Sequence, residues 1–352
     1  MTMTAVAAEL GLSRKTVSVV LNGHARRFRV SDATVKRVRE HLARRGYVPS
    51  RQARDLRAAP PRVIGLLHPG SLAGHMVDAL HRLVEALSSS APGFEVMVTP
   101  ELRVEEAVRE LLARRVTDLI WMHNAQVAEE FREPRLAGYL ARMRTVIYNY
   151  RFDSPLGETE LLERNIRLVG VNRTVHKRRL ALFLRRLGHR TIGFPDVDVP
   201  GPPGHSDVFV RAGFTAARCP PPFDAEKLMR AMREQGVTAA FFNGDPRACQ
   251  AIDALQRRGV RIPEELTVTG FDGTSLPFGS NLTTLAMPVA EMVARTCAIA
   301  TGETDELRHG FEMELVKGRT HGPPRPLARR DRFYRRASTS DAPTARTNQK
   351  QK

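Results

Sequence analysis

Residues 6–23 read VAAELGLSRKTVSVVLNG, and this stretch decides the N-terminal fold. Val6 and Leu10 stand four residues apart, and Val17, Val20 and Leu21 recur at i, i+3 and i+4, so each segment presents one apolar helical face. Gly11 suits a tight turn between them. Ser13 is placed to cap the second helix by accepting from backbone N–H groups two or three residues on. Two short helices around a Gly-Leu-Ser turn form a helix-turn-helix. The opposite face of the second helix is expected to show Arg14, Lys15, Ser18, Val19 and Asn22 to solvent. Such a face enters a major groove, the residues nearest the helix N-terminus meeting base edges first.

A third helix is expected from Asp32 to Arg45, capped by Ser31, with Val35, Val38 and Leu42 facing inward. Gly46 ends it, Tyr47 and Val48 form the exit, and Pro49 opens the next segment. That segment, SRQARDLR (50–57), favours a helix of only two turns, whereas isolated helices below roughly 12 residues are marginal in water. It therefore needs support to fold. Ala59, Pro60 and Pro61 then stop any helix and mark a boundary.

The charge distribution points the same way. The chain carries +17 at neutral pH. Residues 1–58 hold 13 Lys and Arg against 4 Asp and Glu, and residues 319–352 hold 10 against 2. The 260 residues between hold 32 of each, so all of the excess sits at the two ends. A neutral body with a basic head fits a nucleic-acid binder better than a diffuse polyanion binder.

The 352 residues, 42% of them hydrophobic, suffice for two or three folding units. No apolar run approaches the roughly 18 residues of a membrane span, and the N-terminus lacks an export-signal core, so a cytoplasmic protein without membrane partners is expected. Cys219, Cys249 and Cys297 are too few and too scattered for a disulfide framework or a zinc site. There is no P-loop, nucleophile elbow, zinc-protease motif or dinucleotide-type glycine turn. Neither enzymatic activity, a metal nor a cofactor is expected.

From Arg62 the sequence alternates apolar runs (RVIGLLHP, FEVMVTP, TDLIWMHN, TVIYNY, RLVGVNR, RTIGFPDV, TAAFFNGD, LTVTGFDG) with helical patterns such as 75–87, 105–115, 177–187 and 246–258. This is the pattern of βαβ units and parallel sheets, and about ten strands exceed one comfortable sheet. Two lobes follow. Ligands of such sheets bind beyond the carboxyl ends of the strands, where His68, Ser71, Asn124, Asn149, Asn172, Asp245 and Asp272 fall. Residues from about Thr320 onward, rich in Pro, Ser, Thr and Arg, are expected to be disordered.

The head resembles that of the LacI/GalR family of bacterial transcription regulators. The likeness spans the helix-turn-helix, Asn22-Gly23, Val30-Ser31, GYVPS (46–50) and a hinge pattern with Ala53 and Leu56. It continues through LGHRTIGF (187–194), RAGFTAA (211–217), GVRIPEELTVTGFDG (259–273) and NLTTLAMPV (281–289). The resemblance implies a helix-turn-helix domain over 1–48, a hinge helix and linker over 49–59, a two-lobed periplasmic-binding-protein-like effector and dimerisation domain over 60–318, and a basic tail over 319–352. It implies a homodimeric regulator, a repressor, that binds a palindromic double-stranded operator under control of a small-molecule effector. Ser13, Thr16, Ser18, Asn22, Ser31 and Thr34 would position the DNA backbone and Arg14 and Lys15 would read bases. Leu56 would wedge the minor groove, and Arg29, Tyr47 and Ala53 would complete the interface. Two features depart from the family. Val19 stands where most relatives carry an arginine, and the 24–29 loop, HARRFR, is longer by about three residues and adds three arginines as phosphate contacts. His68, Ser71, Asn149, Arg211, Asp245 and Asp272 form the implied effector set. There too the pattern departs, because Val210 replaces an arginine, with Arg211 shifted by one, and Gly244 replaces an asparagine. A small neutral sugar, a larger or non-sugar effector and a decayed site all stay open. The alternative from another class is a soluble sugar-binding protein without regulatory output.

Overall fold

The computed structural model describes residues 3–21, 23–45, 62–69, 72, 74–90, 94–101, 103–122, 134–153, 157–195, 205–218, 222–274 and 281–324. The expectations for Asn22, Tyr47, Ala53, Leu56, the 50–57 hinge, Ser71, Asn124 and the chain beyond 324 lie outside these residues. The chain divides into two compact units, Met1–Pro61 and Arg62–Lys352.

In the first unit, α1 (Met3–Leu10), α2 (Arg14–Leu21) and α3 (Asp32–Arg44) close around one small core. Val6, Ala7, Val17, Val20, Val38 and Leu42 fill it, which matches the faces read from the apolar periodicity. Glu9 ties α1 to α3 through His41 at 2.9 Å and Arg45 at 3.1 Å.

The second unit has two six-stranded sheets. The first runs β11-β5-β4-β3-β1-β2, built from β1 (Arg62–Pro69), β2 (Phe94–Glu101), β3 (Asp118–Met122), β4 (Arg144–Arg151), β5 (Arg167–Val171) and β11 (Arg308–Phe311), all parallel. The second runs β12-β10-β9-β8-β6-β7, from β6 (Thr191–Phe194), β7 (Thr215–Arg218), β8 (Ala239–Phe241), β9 (Thr267–Asp272), β10 (Thr283–Ala286) and β12 (Glu314–Val316), with only β12 antiparallel.

Period-two alternation sends successive side chains to opposite faces. Leu119 and Trp121 of β3 face α5 (Val104–Ala113), α6 (Pro134–Leu140) and α7 (Glu158–Glu163). Ile120 and Met122 instead face the core under α4 (His75–Ser90) and α12 (Val289–Thr301). In the second sheet Phe241 lies under α8 (Arg173–Leu187) and α9 (His205–Arg211), while Ala240 and Phe242 pack on α10 (Ala225–Gln235) and α11 (Asp245–Gln256).

The chain crosses between sheets at Asn172, at Met287-Pro288 and at Glu312-Met313. His176 of α8 is buried at the last crossing, where its Nε2 accepts from the Met313 amide at 3.3 Å. Burial holds its imidazole below the usual range, against the pull of Glu312.

One expectation is corrected. Residues 319–324 do not begin a disordered tail but are bonded along the second sheet. The Thr320 hydroxyl donates to the Val268 carbonyl at 2.7 Å, and the Gly322 carbonyl accepts from Thr267 and pairs with His189. Composition misleads here because these polar residues satisfy buried threonines and a buried histidine.

A register shift in β4 between Tyr148 and Tyr150 puts Asn149 at φ 67°, in the left-handed region. Gly170 of β5 lies against that bulge, and a Cβ there would overlap the Tyr150 backbone. Backbone cannot rotate away as a side chain can. Gly170→Ala is therefore expected to lower stability by about 3 kcal/mol or more, at the upper end of overpacking costs, measured as a lowered urea midpoint.

Candidate functional site

In the head, both expected caps form. Ser13 Oγ accepts from the Thr16 amide at 3.0 Å, and Ser31 Oγ accepts from the Thr34 amide at 3.3 Å. Each serine also shares a hydrogen bond with the hydroxyl of its threonine. Capping fixes where α2 starts and so aims its first residues outward. Ser13, Arg14, Lys15, Arg29 and Ser31 are exposed, and Thr16, Ser18 and Thr34 are half-buried.

Val19 departs from its expected place on the open face, being only 9% exposed. The chain turns back directly after α2, where the His24 amide donates to the Val19 carbonyl at 3.0 Å, and the long loop closes that end of the helix. The loop also presents a residue that motif reading passed over. Phe28 is 48% exposed, with Lys15 Nζ at 5.8 Å and Arg27 Cζ at 6.0 Å from its ring centre. A single aromatic inside the basic run HARRFR was the available signal.

In the body, the strand-end residues meet where β4, β9, α4 and α8 converge. Asn149 is buried, and its Oδ1 accepts from Arg173 Nη2 at 2.9 Å. Asp272 ends β9 at φ 104°, a strained conformation for any residue but glycine. Its carboxylate lies 3.0 Å from the Nδ1 of buried His75, out of line for a hydrogen bond. Gly74 sits close to the same carboxylate, where a Cβ would be 3.0 Å from Oδ2.

Sequence reading missed the charges here. Arg173 and Lys177 lie one helical turn apart on α8, and both face the Phe271 ring, at 5.7 and 5.1 Å. Burial holds the Lys177 ammonium well below the usual lysine range, and Arg173 and Arg151 push it the same way. Asp153 accepts from Thr174 at 2.7 Å and from Arg151 at 3.3 Å. Burial raises its pKa, but these partners outweigh it and hold the carboxyl below the usual range. A basic helix start looks like a solvated face in sequence, which is why these residues were not singled out.

Of the remaining expected residues, Asp245 lies beside Asp272, whose charge helps raise its pKa. His68 is half-buried near the end of β1. Arg211 is exposed at the end of α9, its side chain making no hydrogen bond or ion pair among the described residues. Asp245 is 1% exposed and accepts from the Thr284 hydroxyl at 2.6 Å. Burial pushes its carboxyl up to about 7, against hydrogen bonds from Thr284 and the backbone of Thr274 and Phe271. It therefore joins α11 to β9 and β10 rather than lying open to the cleft.

A capped helix-turn-helix on a two-lobed α/β body defines a DNA-binding regulator with a ligand-binding domain. Residues 2–50 match the bacterial regulatory proteins of the lacI family, and residues 161–320 match the periplasmic binding protein-like domain. The chain belongs to the lacI family of transcriptional regulators, which are not enzymes. It is similar to the transcriptional repressor PurR of Photobacterium profundum, 27% identical over 90% of this chain and 97% of that one. It is also similar to a helix-turn-helix-type transcriptional regulator of Mycolicibacterium smegmatis, 25% identical over 92% and 97%. In fold it resembles the lac repressor dimer bound to operator and the anti-inducer ONPF, with a TM-score of 0.64 at 22% identity, covering 92% of this chain and 99% of that one. No described helix is long and apolar enough to cross a membrane.

Two outcomes follow from the geometry. Val19→Arg should destabilise the head by about 1–3 kcal/mol, as overpacking does, seen as lost amide protection across residues 3–44. Asp245 has a folded pKa above its unfolded one, so its contribution is fully present below about pH 4 and is lost as pH rises to about 7. Asp245→Asn should remove that component. Urea midpoints compared between the two proteins at pH 5 and pH 8 isolate it.

Proposed function

We propose that the protein acts as a homodimer on a twofold-symmetric operator and represses transcription, with a small molecule in the cleft setting its affinity for DNA. The observation that carries this is the capped α2, which leaves Arg14 and Lys15 exposed at its N-terminal end. Arg14 is the stronger base reader, because its planar fork can reach O6 and N7 of one guanine. Lys15, Arg29, Ser31 and the half-buried Thr16, Ser18 and Thr34 would hold the phosphates. One two-turn recognition helix makes few contacts, and twofold pairing doubles them.

The strained Asp272, with His75 beside it and Asn149 held by Arg173, supports a ligand-responsive junction between the sheets. The relatives of known structure include a regulator named CelR in complex with cellobiose, which makes a sugar-like effector a natural starting point. A ligand that binds one lobe arrangement better shifts the protein toward it by its differential affinity. The two hinge segments would carry that shift to the heads.

Sequencing genomic fragments captured by the purified protein, with and without candidate effectors, tests the whole reading; an absence of any enriched palindrome defeats it. On the best site, Arg14→Ala should lose about 1–3 kcal/mol and relax one base position in each half-site. The logarithm of the binding constant should fall linearly with that of salt, by about 0.9 per phosphate contact. A uniform loss across all sequences would make Arg14 a phosphate contact instead.

A further inference from the structure

Three cations converge at the junction of the two sheets. Arg151 ends β4, and Arg173 and Lys177 lie on the first turns of α8. A helix N-terminus favours negative charge, yet the first turn of α8 contains no acid and begins with an arginine. Positive side chains and the positive end of the helix thus share one partly exposed corner.

Hydrogen bonding there is incomplete in a particular way. The Nε atoms of Arg151 and Arg173 are buried without a hydrogen-bond partner among the described residues, and so is Oδ1 of Asp153. Lys177, only 3% exposed, stands beside them on the Phe271 ring. Buried polar groups are normally paired. Two unmatched guanidinium donors ask for an anionic acceptor, since charge-assisted bonds to carboxylate or phosphate are the strong ones. The unmatched carboxylate oxygen asks for a hydroxyl.

We propose that the cleft takes an anionic polyol, a sugar acid or a sugar phosphate. Its acid group lies among Arg151, Arg173 and Lys177, and one of its hydroxyls donates to Asp153. This assignment rests on the reading of the cleft as the effector site. A neutral sugar satisfies Asp153 but adds no negative charge to a corner where Arg151, Arg173 and Lys177 face only the two carboxylates of Asp153 and Asp272 among the groups acting on them.

The test is calorimetry on the full chain with glucose, gluconate and glucose 6-phosphate at matched ionic strength. At least one of the two anions should bind about tenfold or more tightly than glucose, the equivalent of one charge-assisted contact. Gluconate preferred over glucose 6-phosphate identifies the carboxylate source, and the reverse order identifies the phosphate. Arg173→Gln should abolish the preference for anions. Asp153→Asn, which removes an opposing negative charge, should tighten binding of inorganic phosphate, a gain that a misfolded variant does not give. Glucose bound as tightly as the anions overturns the anionic assignment and leaves the effector reading standing. Anion preference unchanged in Arg173→Gln overturns it also. Binding of none of the three, together with phosphate affinity unchanged in Asp153→Asn, overturns both.

Discussion

Burial of both faces of each parallel sheet is the constraint on which this body depends. A parallel strand offers no solvent face, so helices must cover it above and below, and its side chains must be apolar on both sides. The fully buried β3 and β5 illustrate this. Polar chemistry is thereby driven to the strand ends, where Asn149, Arg151 and Asp272 are found. The same constraint explains why the junction is crowded with ions. It is the place where the buried interior of two sheets meets solvent, and charges there are held by few partners in a poorly screened setting.

Much of this was legible in sequence because it follows from periodicity. The head helices, the caps at Ser13 and Ser31 and most strands up to β9 fall where apolar spacing and turn chemistry put them. Short elements such as α7 and β12 carry too few residues for a period to register. Val19 was misplaced because a helical wheel treats a helix as if nothing followed it, whereas the 24–29 loop is bonded back onto its end. Residues 319–324 were misjudged because composition cannot tell which polar side chains have buried partners waiting. At the junction of the sheets, the positions of Asn149 and Asp272 follow from their places at strand ends. Those of Arg173 and Lys177 do not, since only the fold brings the start of α8 against Phe271.

The head reaches its compactness by local means, and the body does not. Its three small helices share one core of six buried side chains drawn from residues 6–42. The body instead combines parallel pairings with crossovers, and its two sheets share a core that runs from Ile64 to Met313. Stability in the two units therefore rests on different lengths of chain.

The order in which the strands are laid down has a consequence for how the protein is made. The first sheet is begun at Arg62 but finished by β11 at Arg308–Phe311, and its inner helix α12 comes from Val289–Thr301. The second sheet waits in turn for Thr320 and Gly322, whose bonds close over Val268 and Thr267. Neither lobe is complete until nearly the whole described chain has left the ribosome, while the head, the first 61 residues, is synthesised first. Long sequence separation between paired strands slows folding. A nascent chain of this design thus carries its N-terminal head ahead of an unfinished body.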